Sequence, residues 1–271
     1  MRKVFLTAVL GMIALFSGEG KISFYPNPEI EGGQIEVYSQ VPDITSKKLI
    51  VTLGGADNPG IKFDDERRTW FEHWLNKGYC VALVALPGFG ESSGRRDLHG
   101  PLSVKTLSHA IDALIAEYQI EQTGVIGFGY GGATALLLTA QRDDINCLVC
   151  ANGLGNLQRM KNNPSWMSRF LSRNYNFNYE DEDALRARVP YYHVDKMHTP
   201  LYILHRFPHR WVDFEGVNEF VQAMREKGRE CQVAIQQKRP EDHPTRVSME
   251  EVLEVTEEWF DQHMEKNGHG V

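Results

Sequence analysis

Five glycines fall within the nine residues Gly124-Val125-Ile126-Gly127-Phe128-Gly129-Tyr130-Gly131-Gly132. The run Val125 to Phe128 reads as a buried strand, and Tyr130 to Ala140, rich in Ala and Leu, reads as a helix. The chain must therefore turn sharply at Gly129, where a residue without Cβ enters positive φ at no steric cost. Gly131 and Gly132 then let the helix approach the strand closely. A strand that turns directly into a helix commits this part of the chain to an α/β layer arrangement.

The rest of the chain keeps that rhythm. Residues 35–41 alternate apolar and polar, as an edge strand would, and the denser apolar run 49–53 ends at Gly54-Gly55. Apolar residues Phe63, Trp70, Phe71, Trp74 and Leu75 recur at helical spacing before Gly78 stops the helix. Strand 79–86 closes at Pro87-Gly88-Phe89-Gly90, followed by helix 107–118 and strands 125–128 and 145–151 around the helix from Tyr130. After a break come strand 200–205, helix 214–227, strand 231–236 and helix 249–264. The spacing predicts an α/β fold with a mostly parallel central sheet and helices on both faces. The break, residues 152–198, predicts a small helical cap over the sheet edge, within one domain spanning 21–271.

Composition narrows the function classes. With 42% hydrophobic and 24% charged residues in 271, the chain is an ordinary globular one. A formal charge of -7 argues against nucleic acid as a partner. The pairs Arg67-Arg68, Arg95-Arg96 and Arg206 with Arg210 are too short and scattered for a polyanion groove, and read singly as solvated loop residues. Cys80, Cys147, Cys150 and Cys231 all lie in or beside apolar, strand-like segments. Cys147 and Cys150 are three apart, so a strand turns them to opposite faces, and small buried hydrophobes are the reading.

Met1-Arg2-Lys3 and the apolar run to Phe16, followed by Ser17, Gly18 and Gly20, have the form of a secretory signal over residues 1–20. Thirteen apolar residues are too few to cross a bilayer as a helix. Two destinations follow: secreted or extracytoplasmic if the segment is a signal, cytoplasmic if it is an apolar element packed on the body.

Four stretches together resemble the α/β-hydrolase superfamily, in particular the prolyl-oligopeptidase catalytic domain and the dienelactone-hydrolase-like proteins. Gly54-Gly55 matches the oxyanion-loop glycines, and Leu86-Pro87-Gly88-Phe89-Gly90-Glu91-Ser92 the loop after the next strand. Gly127-Phe128-Gly129-Tyr130-Gly131-Gly132 matches the nucleophile elbow, and Val189-Pro190 through His205 the lead into the strand before the catalytic acid. The resemblance covers roughly residues 35–265 and implies an enzyme class of ester, lactone or peptide hydrolases. No propeller segment of the kind that long prolyl oligopeptidases carry precedes it.

Carried over position by position, the resemblance implies a damaged triad. Gly129 stands at the nucleophile, where the family's Gly-x-Ser-x-Gly turn places serine. The His-Gly-x-x-Asp pattern of the acid is matched by His205-Arg206-Phe207-Pro208-His209, so the acid position holds His209. Glu241-Asp242-His243-Pro244 places His243 at the triad histidine. An imidazole at 209 supplies no negative charge to stabilise imidazolium. Asp213 is an alternative acid, or the N-cap of the helix that follows. Because acid and nucleophile positions both depart from the pattern, natural loss accounts for Gly129 more economically than a single engineered change.

The oxyanion apparatus implied by the resemblance survives as the Tyr130 amide with one from Gly55 or Ala56. It would hold a small acyl or carboxylate ligand without turning it over. His193, His198, His205, His209 and His243 raise a metal question, but nothing aligns three of them, so no metal or other cofactor is expected. Trp166, Phe170, Tyr175, Tyr179, Tyr191 and Tyr192 could line a cap-side pocket or pack the cap onto the body. Two functional readings stand side by side: a non-catalytic or impaired binding protein, and a serine hydrolase whose nucleophile is natively at 129 or comes from elsewhere, with Ser92 and Ser93 the nearest hydroxyls.

Overall fold

The strand Lys48–Leu53 shows why this chain needs helices on both sides of its sheet. Leu49, Val51 and Leu53 enter one buried cluster while Ile50 enters another on the opposite face. Side chains alternate along a strand with period two, so a strand with apolar residues on both faces must be covered on both. The computed structural model describes residues 20–42, 46–55, 65–154, 157, 173–175, 178, 180–207, 214–237 and 249–264.

In chain order the strands are β1 (Lys21–Asn27), β2 (Gly33–Gln40), β3 (Lys48–Leu53), β4 (Cys80–Val84), β5 (Gln122–Phe128), β6 (Cys147–Ala151), β7 (Leu201–Phe207) and β8 (Cys231–Gln237). The helices are α1 (Asp65–Asn76), α2 (Pro101–Tyr118), α3 (Tyr130–Thr139), α4 (Glu182–Arg186), α5 (Phe214–Glu226) and α6 (Met249–Met264), with a 3-10 helix over Pro190–Lys196. All eight strands form one sheet in the order β1-β2-β4-β3-β5-β6-β7-β8. β4, β3, β5, β6, β7 and β8 pair in parallel, and β2 runs antiparallel to both β1 and β4.

One face packs against α2, α3 and α5 through residues such as Leu107, Ile111, Leu136 and Phe220. The other packs against α1 and α6 through Trp70, Phe71, Trp74, Trp259 and Phe260. Cys150 lies in the first cluster and Cys147 in the second, so the two are indeed on opposite faces, and all four cysteines are free and buried. Burial drives the Cys150 thiol up to about 12, which leaves it a neutral, inert hydrophobe.

Two details differ from the sequence expectation. Residues 35–41 do not form the edge; β1 lies outside β2, with Ile22 and Phe24 about half exposed. Its Pro26 and outward apolar residues hide it from a pattern reading. The helix expected from Leu107 starts at Pro101, because proline is well tolerated in the first turn, where its missing N–H has no helical partner. Of the cap, the described residues show α4 and the 3-10 helix; Trp166, Phe170 and Tyr179 lie outside them, as do residues 1–19. Among the described residues no helix is long and apolar enough to cross a membrane.

Candidate functional site

β5 passes into α3 through Gly129 alone, at φ 50° and ψ −113°. Non-glycine residues rarely hold such a backbone, and where they do it is strained. Hydrogen bonds fix the turn from two sides. The Gly129 amide donates to the Ala151 carbonyl at 2.8 Å, and the Gly131 amide donates to the Gly54 carbonyl at 3.1 Å. Beyond β6, the Asn152 amide donates to Leu204 at 2.8 Å, and the Asn152 side-chain oxygen accepts from the Arg206 amide at 2.8 Å. The carboxyl ends of β3, β5, β6 and β7 are thereby tied into one rim, where open α/β sheets place ligands.

The elbow glycines have different reasons to be glycine. A Cβ on Gly127 would lie 2.5 Å from the Gly132 Cα, and one on Gly131 would lie 2.6 Å from the Gly54 carbonyl oxygen. A Cβ on Gly132 would lie 3.0 Å from both the Cys150 sulfur and the Gly153 Cα. These three positions are filled by backbone approach. At Gly129 a Cβ would meet, among the described residues, only the Gly55 Cα at 3.8 Å. The half-exposed tip of the turn therefore has room for a side chain that the sequence does not supply.

Tyr130 opens α3, so its amide has no carbonyl four residues back to bond. Gly55 lies beside this helix start, its Cα 3.8 Å from where a Cβ on Gly129 would be. Ala56, His209, Asp213, Asp242 and His243 lie outside the described residues. The structure thus brings together Gly129, Tyr130 and Gly55 from the expected set.

Both alternative hydroxyls hydrogen-bond the backbone around β2. Ser92 donates to the Ala85 carbonyl at 2.6 Å and accepts from the Glu36 amide at 2.9 Å. Ser93 accepts from the Gln34 amide at 3.0 Å. Both pin the loop after β4 onto β2. The described histidines are likewise dispersed: His193 meets the Arg186 carbonyl at 3.0 Å, His198 meets Arg229 at 2.8 Å, and His205 is buried in β7. Among the described residues no group of three or more His, Cys, Asp or Glu could hold a metal ion. Arg206, expected to be solvated, is instead buried near the end of β7, with Glu251 of α6 at 4.0 Å. Tyr191 and Tyr192 are exposed, and Tyr192 stacks under Arg186.

Sequence reasoning missed a buried polar cluster behind the elbow. The Tyr130 hydroxyl lies 3.0 Å from the Ser103 hydroxyl and donates to Asp97 at 3.3 Å. Asp97 also accepts from the Ser103 hydroxyl, and from its amide at 3.1 Å, which caps α2. Arg188 donates to the Asp97 carbonyl at 2.9 Å and to the Ala184 carbonyl at 2.7 Å, tying α4 to this cluster. Burial, reinforced by the Asp97 charge, pushes the Tyr130 phenol up, so it stays a neutral donor. Burial lowers the Arg188 guanidinium, and Asp97 and Tyr130 oppose that shift. The available signal was Asp97 three residues before Gly100-Pro101, a carboxylate within reach of a helix start.

His99 sits beside Tyr130, with ring centroids 5.6 Å apart, in a left-handed backbone with φ 45° that continues from Leu98 at 54°. Burial first, and the nearby Arg188 charge second, lower its pKa to about 3. Neither ring nitrogen makes a hydrogen bond of normal geometry among the described residues, and the Arg188 carbonyl supports the charged form only weakly. Although Asp97, His99 and Ser103 have the residue types of a triad, Ser103 is fully buried and bonded to Asp97 and Tyr130, not to the imidazole.

The sequence of residues 53–221 matches the family described as alpha/beta hydrolase fold. The chain belongs to that family. A puromycin-hydrolyzing peptidase of Mycobacterium tuberculosis superposes on this hydrolase-fold chain with TM-score 0.77 at 18% identity, covering 94% of this chain and 41% of its own. The acylaminoacyl peptidase of Pyrococcus horikoshii gives 0.75 at 17%, covering 94% and 43%. The chain thus spans less than half the length of these peptidases. Est1E of Butyrivibrio proteoclasticus, solved with ferulic acid bound, gives 0.69 at 16%, covering 89% of this chain and 99% of its own. No curated protein matches. At these identities the structural likeness establishes the fold alone.

Proposed function

We propose that this α/β-hydrolase-fold protein binds small acyl or carboxylate compounds at the Gly129 elbow and does not turn them over through a covalent intermediate. The observation that carries the reading is the elbow itself. Its backbone is held as a nucleophile turn requires, yet position 129 has no side chain, and among the described residues a Cβ there would meet only the Gly55 Cα at 3.8 Å. Without a hydroxyl there is no acyl-enzyme and no proton for a histidine to take. The Tyr130 amide at the start of α3 has no acceptor within the helix, and a helix N-terminus favours an anionic or carbonyl oxygen. Est1E holding ferulic acid, a carboxylic acid, on a similar fold supports that ligand class.

A second reading, hydrolysis of small esters, lactones or peptides, is favoured by the names of the superposed proteins, which are peptidases and esterases. It requires a nucleophile natively at 129 or one from another segment. The deciding experiment is turnover of p-nitrophenyl acetate and butyrate. The binding reading expects rates no higher than those of the His243→Ala variant. A His243-dependent rate well above that background would establish the hydrolase instead.

A further inference from the structure

We propose that two copies of this chain pair through β1, antiparallel about a two-fold axis at Ser23, so that one sheet runs through both. The inference is independent of the ligand reading at the elbow, which β2, β4 and β3 separate from this edge.

β1 is the outermost strand, and its neighbour β2 fixes where its backbone points. Gln34 of β2 accepts from the Ser93 amide at 2.9 Å and donates to the Ser93 hydroxyl at 3.0 Å. Glu36 accepts from the Ala85 amide at 3.0 Å and donates to the Ser92 hydroxyl at 2.9 Å. Both residues thus direct their backbone groups away from β1. Their partners across the antiparallel ladder, Pro26 and Phe24, form non-hydrogen-bonded pairs with them and turn their own groups off the sheet. The same alternation turns out Ile22, opposite Tyr38. The open edge therefore carries the amide and carbonyl of Ile22 and of Phe24, and the carbonyl of Pro26, which has no N–H.

The side chains fit a second copy in one register. Ile22 and Phe24 are 52% and 50% exposed, on the face where Tyr38 packs on Phe71 of α1 at 5.4 Å. A two-fold at Ser23 sets Ile22 opposite the partner's Phe24, and Phe24 opposite the partner's Ile22. Each of these pairs exchanges both amide-to-carbonyl bonds, and their side chains join in one apolar strip across the junction. On the other face Lys21 comes opposite the partner's Tyr25. Within each chain the Lys21 ammonium and the Tyr25 hydroxyl both donate to Glu117 of α2, so the junction brings Lys21 toward a carboxylate rather than a like charge. Moving the axis to Phe24 would set Ile22 against the partner's Pro26, which has no amide to give. Charged residues commonly guard an open edge against pairing. Lys21, the one charged residue of β1, is instead drawn onto α2 by Glu117, and Pro26 blocks only one end. The edge is self-complementary, as an isologous interface requires.

A single strand pair is a small interface, so monomer and dimer should exchange with concentration. Sedimentation velocity of the full chain over a dilution series should show that exchange. Phe24→Asp, which puts a charge into the strip, should raise the dimer dissociation constant about 10–100-fold. Cross-linking reads the register. Ser23→Cys places two thiols in a non-hydrogen-bonded pair on the axis, within disulfide reach, and should give a covalent dimer under mild oxidation. Lys21→Cys leaves its two thiols out of register and should not, and the native cysteines are buried. Only monomer across the series overturns the proposal, whether another part of the chain or nothing covers the edge. A dimer that Phe24→Asp leaves unchanged overturns it too, as does cross-linking through Lys21→Cys as readily as through Ser23→Cys. Should Phe24→Asp fail to fold, the two cysteine variants decide alone.

Discussion

The Gly131 amide donates to the Gly54 carbonyl at 3.1 Å, pinning the first turn of α3 to the loop after β3. That closeness is possible only because position 131 carries no Cβ, which would lie 2.6 Å from the same carbonyl oxygen. Gly127 is equally confined, against the backbone of Gly132 at 2.5 Å. Gly127→Ala and Gly131→Ala should each cost more than about 3 kcal/mol, since backbone cannot give way as a side chain does. Gly129→Ala meets only backbone strain and should cost about 1 kcal/mol. Urea denaturation of the three variants checks the order, and equal losses would contradict it.

A second stability prediction concerns the polar cluster. Asp97 and Arg188 are only 4% and 7% exposed, so neither charge has water to fall back on. Asp97→Ala should cost about 3–5 kcal/mol, because it removes the carboxylate that accepts from the Ser103 amide and from the Ser103 and Tyr130 hydroxyls, and with it the negative charge near the buried Arg188. Tyr130→Phe removes one hydroxyl from the same cluster and should cost only about 1 kcal/mol. Chemical unfolding of both variants tests this; an Asp97→Ala loss as small as that of Tyr130→Phe would mean that the charges are not coupled.

His99 gives the stability a pH dependence with a defined sign. Its folded pKa of about 3 lies below the ordinary histidine value of 6.5, so the unfolded chain takes up a proton that the folded chain refuses. The stabilisation is complete above pH 6.5 and is lost as pH falls from there toward 3, at up to about 1.4 kcal/mol per pH unit. Between pH 7 and pH 4.5 the wild type should lose more stability than His99→Gln. Parallel curves for the two proteins would place His99 in contact with water.

Much of this was legible in the sequence, for reasons that differ by residue. The parallel core strands could be read because Leu49 to Val51 and Cys147 to Ala151 are unbroken apolar runs, as burial on both faces demands. The elbow could be read because its glycines answer local backbone needs. β1 could not, since half its apolar residues face outward and its place depends on pairing with β2. The Asp97–Ser103–Tyr130–Arg188 cluster was invisible because its members lie up to 91 positions apart and meet only in the folded chain. Arg206 was misread for the same reason: its burial, with Glu251 of α6 at 4.0 Å, depends on elements distant in sequence.

Restoring the hydroxyl separates the two positions that depart from the hydrolase pattern. Gly129→Ser fills open space beside Gly55 and should fold with a penalty of about 1 kcal/mol. Alone it should hydrolyse activated esters no faster than the parent protein, because His209 gives an imidazolium no counter-charge. Gly129→Ser combined with His209→Asp should gain turnover. Turnover by Gly129→Ser alone would show that a working acid already faces His243 and that the reading of position 209 is wrong.

The most direct measurement is treatment of the unaltered protein with a fluorophosphonate, followed by intact-mass and peptide mass spectrometry. A protein whose elbow ends in Gly129 should gain no adduct at any serine under conditions that label the Gly129→Ser/His209→Asp variant fully. An adduct on a single serine of the unaltered protein, lost on denaturation, would contradict the account and identify a working nucleophile.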